Sequence, residues 1–376
     1  MRSFWLALLG VTTWVSAANS ETLRVYIGTY TRGTSRGIYV CELDRTSGEL
    51  TRPRLAAEAA NPSFLAVHPS GKFLVAVNEL PGKGPRQGGV SSFRIDPATG
   101  KLTRIDSQSS QGAGPCHLVV DATGQAIVAA NYGGGSTVVV KIDPATGELS
   151  PASALVQHRG RSVHPRQKAP HAHGVALSPD GGIALVADLG LDRILIYDFD
   201  ARRGVITAHD PPFAELPPAS GPRHVVFHPS GRWVYSVNEL ASTVTGFAFD
   251  RKSGSLKRVE QVTTLPAEFS GSNTTAEIAV TSDGRFLYAS NRGHDSLACF
   301  AVDGKTGRLT PLGHCSTQGK TPRNFAIDPT GRFVLAANQA TGDIAVLRIE
   351  PNGTLEPTGH RIEVGAPVCI VFWKKP

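Results

Sequence analysis

Six side chains of types that bind anions or move protons recur at fixed offsets from turn glycines. His173, Arg223 and Arg323 stand eight residues before Gly181, Gly231 and Gly331; Glu79, Glu239 and Arg292 stand eight residues after Gly71, Gly231 and Gly284. Guanidiniums stabilise negative charge, and carboxylates and imidazoles transfer protons. Gathering such groups costs desolvation unless they pair with each other or meet a ligand. They form either a rigidifying ring of ion pairs or a site. His171 and His173 have the spacing of two metal ligands, but the nearby columns of repeat positions supply arginines and few free carboxylates, and cations repel a metal. No metal and no cofactor is expected. Gly133-Gly134-Gly135 lacks the lysine and following helix of a phosphate loop and reads as a hairpin turn. The chain has no Gly-x-Ser-x-Gly, so a serine nucleophile lacks its usual context.

The elements that position these residues are legible as a repeat. Gly71, Gly124, Gly181, Gly231, Gly284 and Gly331 follow one another at intervals of 47 to 57 residues. Each lies in a turn between two short apolar runs, and a self-similar period of this size marks a repeat architecture. Turns such as His-Pro-Ser-Gly and Asp-Pro-Ala-Thr-Gly separate short runs that read as hairpin strands. From Asn61 each unit has four strands. The stretch from Leu23 supplies three strands with no leading partner, and the chain ends on a lone run, Ala366 to Phe372. That is the arrangement a closed ring demands, because closure leaves no open sheet edges. The spacing predicts an all-β, seven-bladed β-propeller of four-stranded antiparallel blades, closed by the C-terminal strand as the innermost strand of the N-terminal blade.

In such a blade the start of the first strand and the end of the second lie on the same face. Two columns therefore converge on one mouth of the central channel. The first-strand column reads Ser63, Cys116, His173, Arg223, Ala276, Arg323, and one residue on it reads Phe64, His117, Gly174, His224, Glu277, Asn324. The second-strand column is nearly uniform, Asn78, Asn131, Asp188, Asn238, Asn291, Asn338. Uniformity suggests a structural role, capping the turn that follows. The next position varies: Glu79, Tyr132, Leu189, Glu239, Arg292, Gln339.

The chain has 376 residues and a formal net charge of +7. Residues 1–20 combine Arg2, an apolar run and Ser16-Ala17-Ala18, the pattern of a secretory signal cleaved near Ala17. The run is too short for a comfortable membrane span. The expected protein is exported, periplasmic or secreted, with residues 21–376 as one propeller domain, no membrane attachment after cleavage, and a monomeric or simple homodimeric state. Five cysteines without CxxC spacing do not make a disulfide scaffold. Basic charge concentrates between His158 and His173, with no acid between Glu148 and Asp180, in a connection that could arch over the mouth and steer an anion. Aromatic residues are not interleaved with this charge, so nucleic acid is not an expected partner.

The ordered motifs Tyr26-Ile27-Gly28-Thr29-Tyr30-Thr31, Asn61-Pro62-Ser63-Phe64-Leu65, Asn131-Tyr132-Gly133-Gly134-Gly135-Ser136, Pro170-His171-Ala172-His173, Gly221-Pro222-Arg223-His224, Val237-Asn238-Glu239-Leu240 and Ser290-Asn291-Arg292 resemble those of the seven-bladed propeller lactonases. That family includes propeller-type 6-phosphogluconolactonase and carboxy-muconate cyclase, and the resemblance spans essentially all of the expected mature chain. It implies a metal-independent enzyme acting on a small anionic lactone. The implied catalytic residues fall on Glu239, Arg223, Arg292 and His171 or His173. Arg323, His117, Tyr132, Glu79 and His224 complete the expected substrate-binding set. The export signal is a departure, because 6-phosphogluconolactone is a cytoplasmic metabolite. Two other readings are a muconate-type lactonising cyclase, which needs the same arginines but no water-activating base, and a non-enzymatic exported propeller that binds a partner on its face.

Overall fold

The computed structural model describes residues 22–82 and 87–375; the expected signal segment lies outside them. The described residues form seven four-stranded antiparallel sheets and no helix. In the first sheet the C-terminal strand Pro367–Trp373 pairs antiparallel with Thr22–Thr29, which continues into Gly37–Asp44 and Arg54–Glu58. Ring closure is thus by the chain's last strand. The third strand of this blade begins at Arg54, preceded by an isolated bridge from Leu43 to Leu50.

The core is divided among the blade interfaces. Seven buried apolar clusters each draw from two neighbouring blades. Second-strand runs such as Ala126–Asn131 are buried along their whole length, because both sheet faces are covered by adjacent blades. Polar pins repeat between blades. Tyr26, Tyr235 and Tyr288 each donate their hydroxyl to the carbonyl of a turn glycine in the next blade, Gly100, Gly307 and Gly353, at 2.9–3.0 Å. His68 and His228 bond Gly124 and Gly284 in the same way.

The Asn column serves the following turn, as the sequence suggested, and the preceding connection as well. Asp188 accepts from the Gly190 backbone, and Asn131, Asn238, Asn291 and Asn338 reach across the turn to Ser136, Thr243, Ser296 and Asp343. Asn78, Asn131, Asn291 and Asn338 each donate a side-chain N–H to a carbonyl in the connection arriving from the preceding blade, at Ala60, Ser110, Thr264 and Thr317. Ser110, Thr264 and Thr317 are buried in connections outside the strand ladders, and their carbonyls need donors there. Asp188 instead accepts from the backbone of His171 and Gly190.

One irregularity places the site. The first strands of blades 3, 4, 5 and 7 carry register shifts between Pro115 and His117, Ala172 and Gly174, Pro222 and His224, and Pro322 and Asn324. The skipped residues are Cys116, His173, Arg223 and Arg323. A bulge re-aims side chains and breaks strict alternation. Consecutive polar residues such as Arg223 and His224 can therefore both be buried at the channel. Packing at the channel is close: a Cβ at Gly174 would lie 2.6 Å from the Arg223 carbonyl.

Candidate active site

Glu239 follows the second strand of blade 5 (Trp233–Asn238) and is buried. Three guanidiniums converge on it. Arg223 Nε lies 3.1 Å and Arg292 Nη2 2.9 Å from Oε2, and Arg166 Nη1 lies 2.6 Å from Oε1. Two of these arginines are fixed by backbone carbonyls: Arg223 Nη1 donates to Ala276 at 2.6 Å and Arg292 Nη2 to Thr275 at 2.8 Å. The Nε groups of Arg223 and Arg292 are buried without an aligned acceptor among the described residues, so the 3.1 Å approach of Arg223 to Glu239 is charge pairing rather than a directed hydrogen bond. Burial alone would raise the Glu239 carboxyl. Arg292, Arg223 and Arg166 outweigh it and pull the group down to about 2. Burial likewise lowers Arg292 to about 10, against the pull of Glu239.

Around this hub lies a cavity of about 350 Å³ lined by Glu79, Cys116, Tyr132, Arg166, His173, Glu239, Thr274, Arg292 and Arg323. Larger cavities of about 580 and 890 Å³ lie at blade seams and gather no comparable cluster of buried charge. Opposite Glu239, Glu79 accepts from Tyr30 Oη at 2.9 Å and Ser63 Oγ at 2.5 Å. Arg323 stacks over the Tyr30 ring at 5.3 Å and, among the described residues, has no carboxylate within ion-pair distance. Below the mouth a space of about 10 Å³ is bounded by Arg223, His224, Glu277 and Arg323. His224 Nδ1 donates to Glu277 Oε1 at 2.7 Å, which leaves Nε2 to accept from Arg223 Nη1 at 3.2 Å. Asn324 holds the other Glu277 oxygen at 2.6 Å. Burial first, then Arg223 and Arg323, hold His224 well below its ordinary range, so it is neutral; burial pushes Glu277 up.

The two histidines flanking Ala172 part company. His173 lines the cavity, its Nδ1 3.7 Å from the Cys116 thiol. Burial and then Arg223 keep it uncharged. His171 lines neither space; it stacks on Tyr132 at 4.6 Å with Nδ1 3.0 Å from the Tyr132 carbonyl. His117 also lines neither, packing against Phe64 at 4.0 Å and edge-on to His224 at 4.7 Å. The structure therefore brings Glu239, Arg292, His173, Tyr132, Glu79 and Arg323 onto one cavity, sets Arg223 and His224 immediately beneath, and leaves His171 and His117 as their supports.

Several contributors were not singled out from the sequence. Arg166 lies outside the repeat, where no periodicity ranks one basic residue above another. Tyr30 belongs to the blade whose first strand is at the other end of the chain. Glu277, Asn324, Ser63 and Cys116 stand in the columns, which was the available signal.

The sequence matches the family described as "Lactonase, 7-bladed beta-propeller" over residues 24–372. It is 35% identical to a 6-phosphogluconolactonase of Bacillus subtilis over 92% of this chain and 97% of that one. It is 32% identical to a 6-phosphogluconolactonase of Formosa agariphila over 86% and 92%. Among solved structures, a periplasmic gluconolactonase of Pseudomonas aeruginosa superposes with a TM-score of 0.89 at 36% identity, covering 94% of this chain and 100% of that one. With the blade count, the ring closure and the match across nearly its whole length in agreement, the chain belongs to the seven-bladed β-propeller lactonase family.

Proposed function

We propose that this chain hydrolyses a small anionic sugar-type lactone, of the 6-phosphogluconolactone kind, at the channel mouth. One observation carries the anionic part of the reading. Four guanidiniums, Arg166, Arg223, Arg292 and Arg323, surround a small recess that offers two carboxylates, Glu79 and Glu239, while the third, Glu277, is tied to His224 and pushed toward its neutral form. The surplus of positive charge favours an anion and disfavours a metal ion, so the proposed reaction needs none.

In the proposed mechanism a water molecule attacks the lactone carbonyl carbon while Glu239 takes its proton. Arg223 and Arg292, each with an N–H lacking an aligned acceptor, stabilise the oxyanion as the carbon–oxygen double bond opens. The ring carbon–oxygen bond then breaks. The ring oxygen receives the proton that Glu239 holds, while neutral His173 donates a hydrogen bond to it. The product is the open hydroxy acid, and Glu239 returns to the carboxylate. Arg323, without a carboxylate of its own, suits the substrate's charged tail, and Glu79 and Tyr132 suit its hydroxyls. The recessed mouth supports this reading over a flat partner-binding face.

The test is hydrolysis of 6-phosphogluconolactone, gluconolactone and carboxymuconolactone by the purified protein and its Glu239→Gln variant. Turnover of an anionic lactone, lowered about 10²–10⁴-fold in the variant, is expected. Equal turnover by the variant would remove Glu239 from the chemistry. Silence of the wild type on all three would favour the binding-module reading. The leader-like residues 1–20 and the periplasmic relative support export; sequencing the N-terminus of the mature protein should find a start near Ala18.

A further inference from the structure

A carboxylate embraced by three guanidiniums is a weak proton acceptor, so the proposed base needs something to release it. The three partners are not equivalent. The Arg223 and Arg292 side chains are 3% and 12% exposed, whereas that of Arg166 is 42% exposed. The first two share Oε2 and are each clamped by a backbone carbonyl. Among the described residues, Arg166 alone holds Oε1, and its one other side-chain partner is the Tyr132 hydroxyl at 3.1 Å, itself at the cavity. A half-exposed ion pair is screened by solvent and is the weakest of the three to break.

The segment that carries Arg166 is not loose. It spans residues 158–171 between blades 3 and 4 and is pinned on both sides. His158 Nδ1 bonds Asp188 Oδ2 at 2.7 Å. Ser162 Oγ bonds Asp192 Oδ2 at 2.6 Å, and its backbone N–H meets the Gln167 carbonyl at 3.0 Å. Gln167, fully buried, donates to Leu189 O at 2.8 Å and Asp192 Oδ1 at 2.7 Å. The backbone is a fixed strap, and the arginine head is the part able to move.

We propose that Arg166 is a displaceable counter-ion: it caps Glu239 Oε1 in the free protein and transfers its guanidinium to the anionic group of an arriving substrate, which uncovers Oε1 for the attacking water. The strap thereby makes the charged group of the substrate a condition for releasing the base, and so acts as a specificity device. A neutral lactone offers Arg166 nothing to leave Glu239 for. This rests on the proposed lactonase reading for the role of Glu239, but the displacement itself does not need turnover to be observed. The groups facing Glu239 from the other elements are Arg223, Arg292 and, further off, Arg323, with neutral His173 at the cavity and neutral His224 beneath; none of them closes Oε1.

Inorganic phosphate is the probe. Its binding would be titrated calorimetrically into the wild type, Arg166→Gln and Arg166→Lys, and the phosphate complex of the wild type would be crystallised. Loss of one charge-assisted contact should weaken phosphate binding about tenfold or more in the glutamine variant, and lysine should recover part of the loss. In the complex, Arg166 Nη1 should lie on the phosphate and away from Glu239 Oε1. Unchanged affinity in Arg166→Gln, or a bound phosphate with the Arg166–Glu239 contact intact, overturns the proposal. Tighter binding in Arg166→Gln also overturns it, because Arg166 would then be only a lock. Should the glutamine variant fail to fold, the lysine variant and the wild-type complex still decide. If Arg166-dependent phosphate binding appears while no lactone is turned over, the lactonase reading fails and the displacement stands. If lactones are hydrolysed but phosphate leaves Arg166 in place, the reverse holds.

Discussion

Glu239 is held ionised by charge, and this has a pH signature that a catalytic assay alone would miss. Its folded value near 2 lies below the ordinary 4.5. A depressed carboxyl contributes stability that is fully present above the unfolded value and is lost as pH falls through the folded one. Replacing it by Gln leaves Arg223 and Arg292 buried without their counter-charge, a defect that typically costs about 3–5 kcal/mol. The wild type should therefore be more stable than Glu239→Gln by about that amount at pH 7, and the gap should narrow between pH 4.5 and 2; urea unfolding at pH 7 and pH 3 measures it. A gap that does not change with pH would mean the carboxylate charge is not what holds the arginines. At this scale the sequence was partly legible. The column offsets placed Glu239, Arg223 and Arg292 together because the repeat is regular. They put His173 in the first-strand column but did not exclude His171, because residues two apart share a strand face and alternation cannot rank them. Arg166 was legible only as one of eight basic residues between His158 and His173.

At the level of elements, the bulge and the Asn column divide the labour. The bulges turn Cys116, His173, Arg223 and Arg323 toward the channel, and Asn78, Asn131, Asn291 and Asn338 fix the connections that reach their blades. Asn291 and Asn338 provide a matched pair. Asn291 donates to Thr264 O at 2.8 Å and accepts from Thr264 Oγ1 and Asn273 Nδ2; Asn338 donates to Thr317 O at 2.9 Å and to Asp343 Oδ2 at 3.2 Å. Asn338→Ala leaves the Thr317 carbonyl without its donor; Asn291→Ala leaves the Thr264 carbonyl only His314 Nε2, at 2.9 Å, and takes the acceptor from Thr264 Oγ1 and Asn273 Nδ2; each should cost about 1–3 kcal/mol. Only Asn291 is followed by a cavity residue, Arg292; Gln339, after Asn338, does not line the cavity. Asn291→Ala should therefore also lower lactone turnover, and Asn338→Ala should leave turnover per folded molecule unchanged. Comparable losses of turnover in both would assign the column to general rigidity. The inter-blade tyrosines give a purely structural counterpart: Tyr288→Phe strands the Gly353 carbonyl and should cost about 1 kcal/mol without touching catalysis, as read by paired unfolding and activity measurements. Strand order and blade number could be read from turn glycines, since a left-handed turn position constrains residue type directly. The carbonyls that these Asn bond in the preceding connections could not, because the path of a connection has no sequence period.

The ring as a whole depends on a strand from the far end of the chain. Pro367–Trp373 is the innermost strand of the first blade, and its side chains serve three blades. Ile370 packs with the cluster shared by blades 1 and 7, Cys369 and Trp373 with that shared by blades 1 and 2, and Trp373 Nε1 donates to Gly71 O at 2.7 Å. Val368, Cys369, Ile370 and Trp373 are all buried. Removing such side chains forfeits about 1.5–3 kcal/mol each, and their sum is comparable with the whole stability of a typical domain, about 5–15 kcal/mol. It also uncovers the edge of Thr22–Thr29, a template for pairing with another chain. Deleting residues 367–376 should therefore abolish cooperative unfolding and drive association, as seen by urea titration and size-exclusion chromatography. That result alone would not separate loss of closure from loss of apolar mass. The geometry offers the separation, because Arg24 pairs with Trp373 and the two ends of the described chain meet on one face. A circular permutant that links residue 375 to residue 22 and opens in the exposed turn at Lys252 keeps every strand and makes the first blade continuous. It should unfold cooperatively and retain turnover, since the site lies at the opposite mouth from both the new join and the new ends. A permutant as defective as the truncation would mean that the order in which the strands are joined along the chain, and not only the closed ring they form, is required for folding.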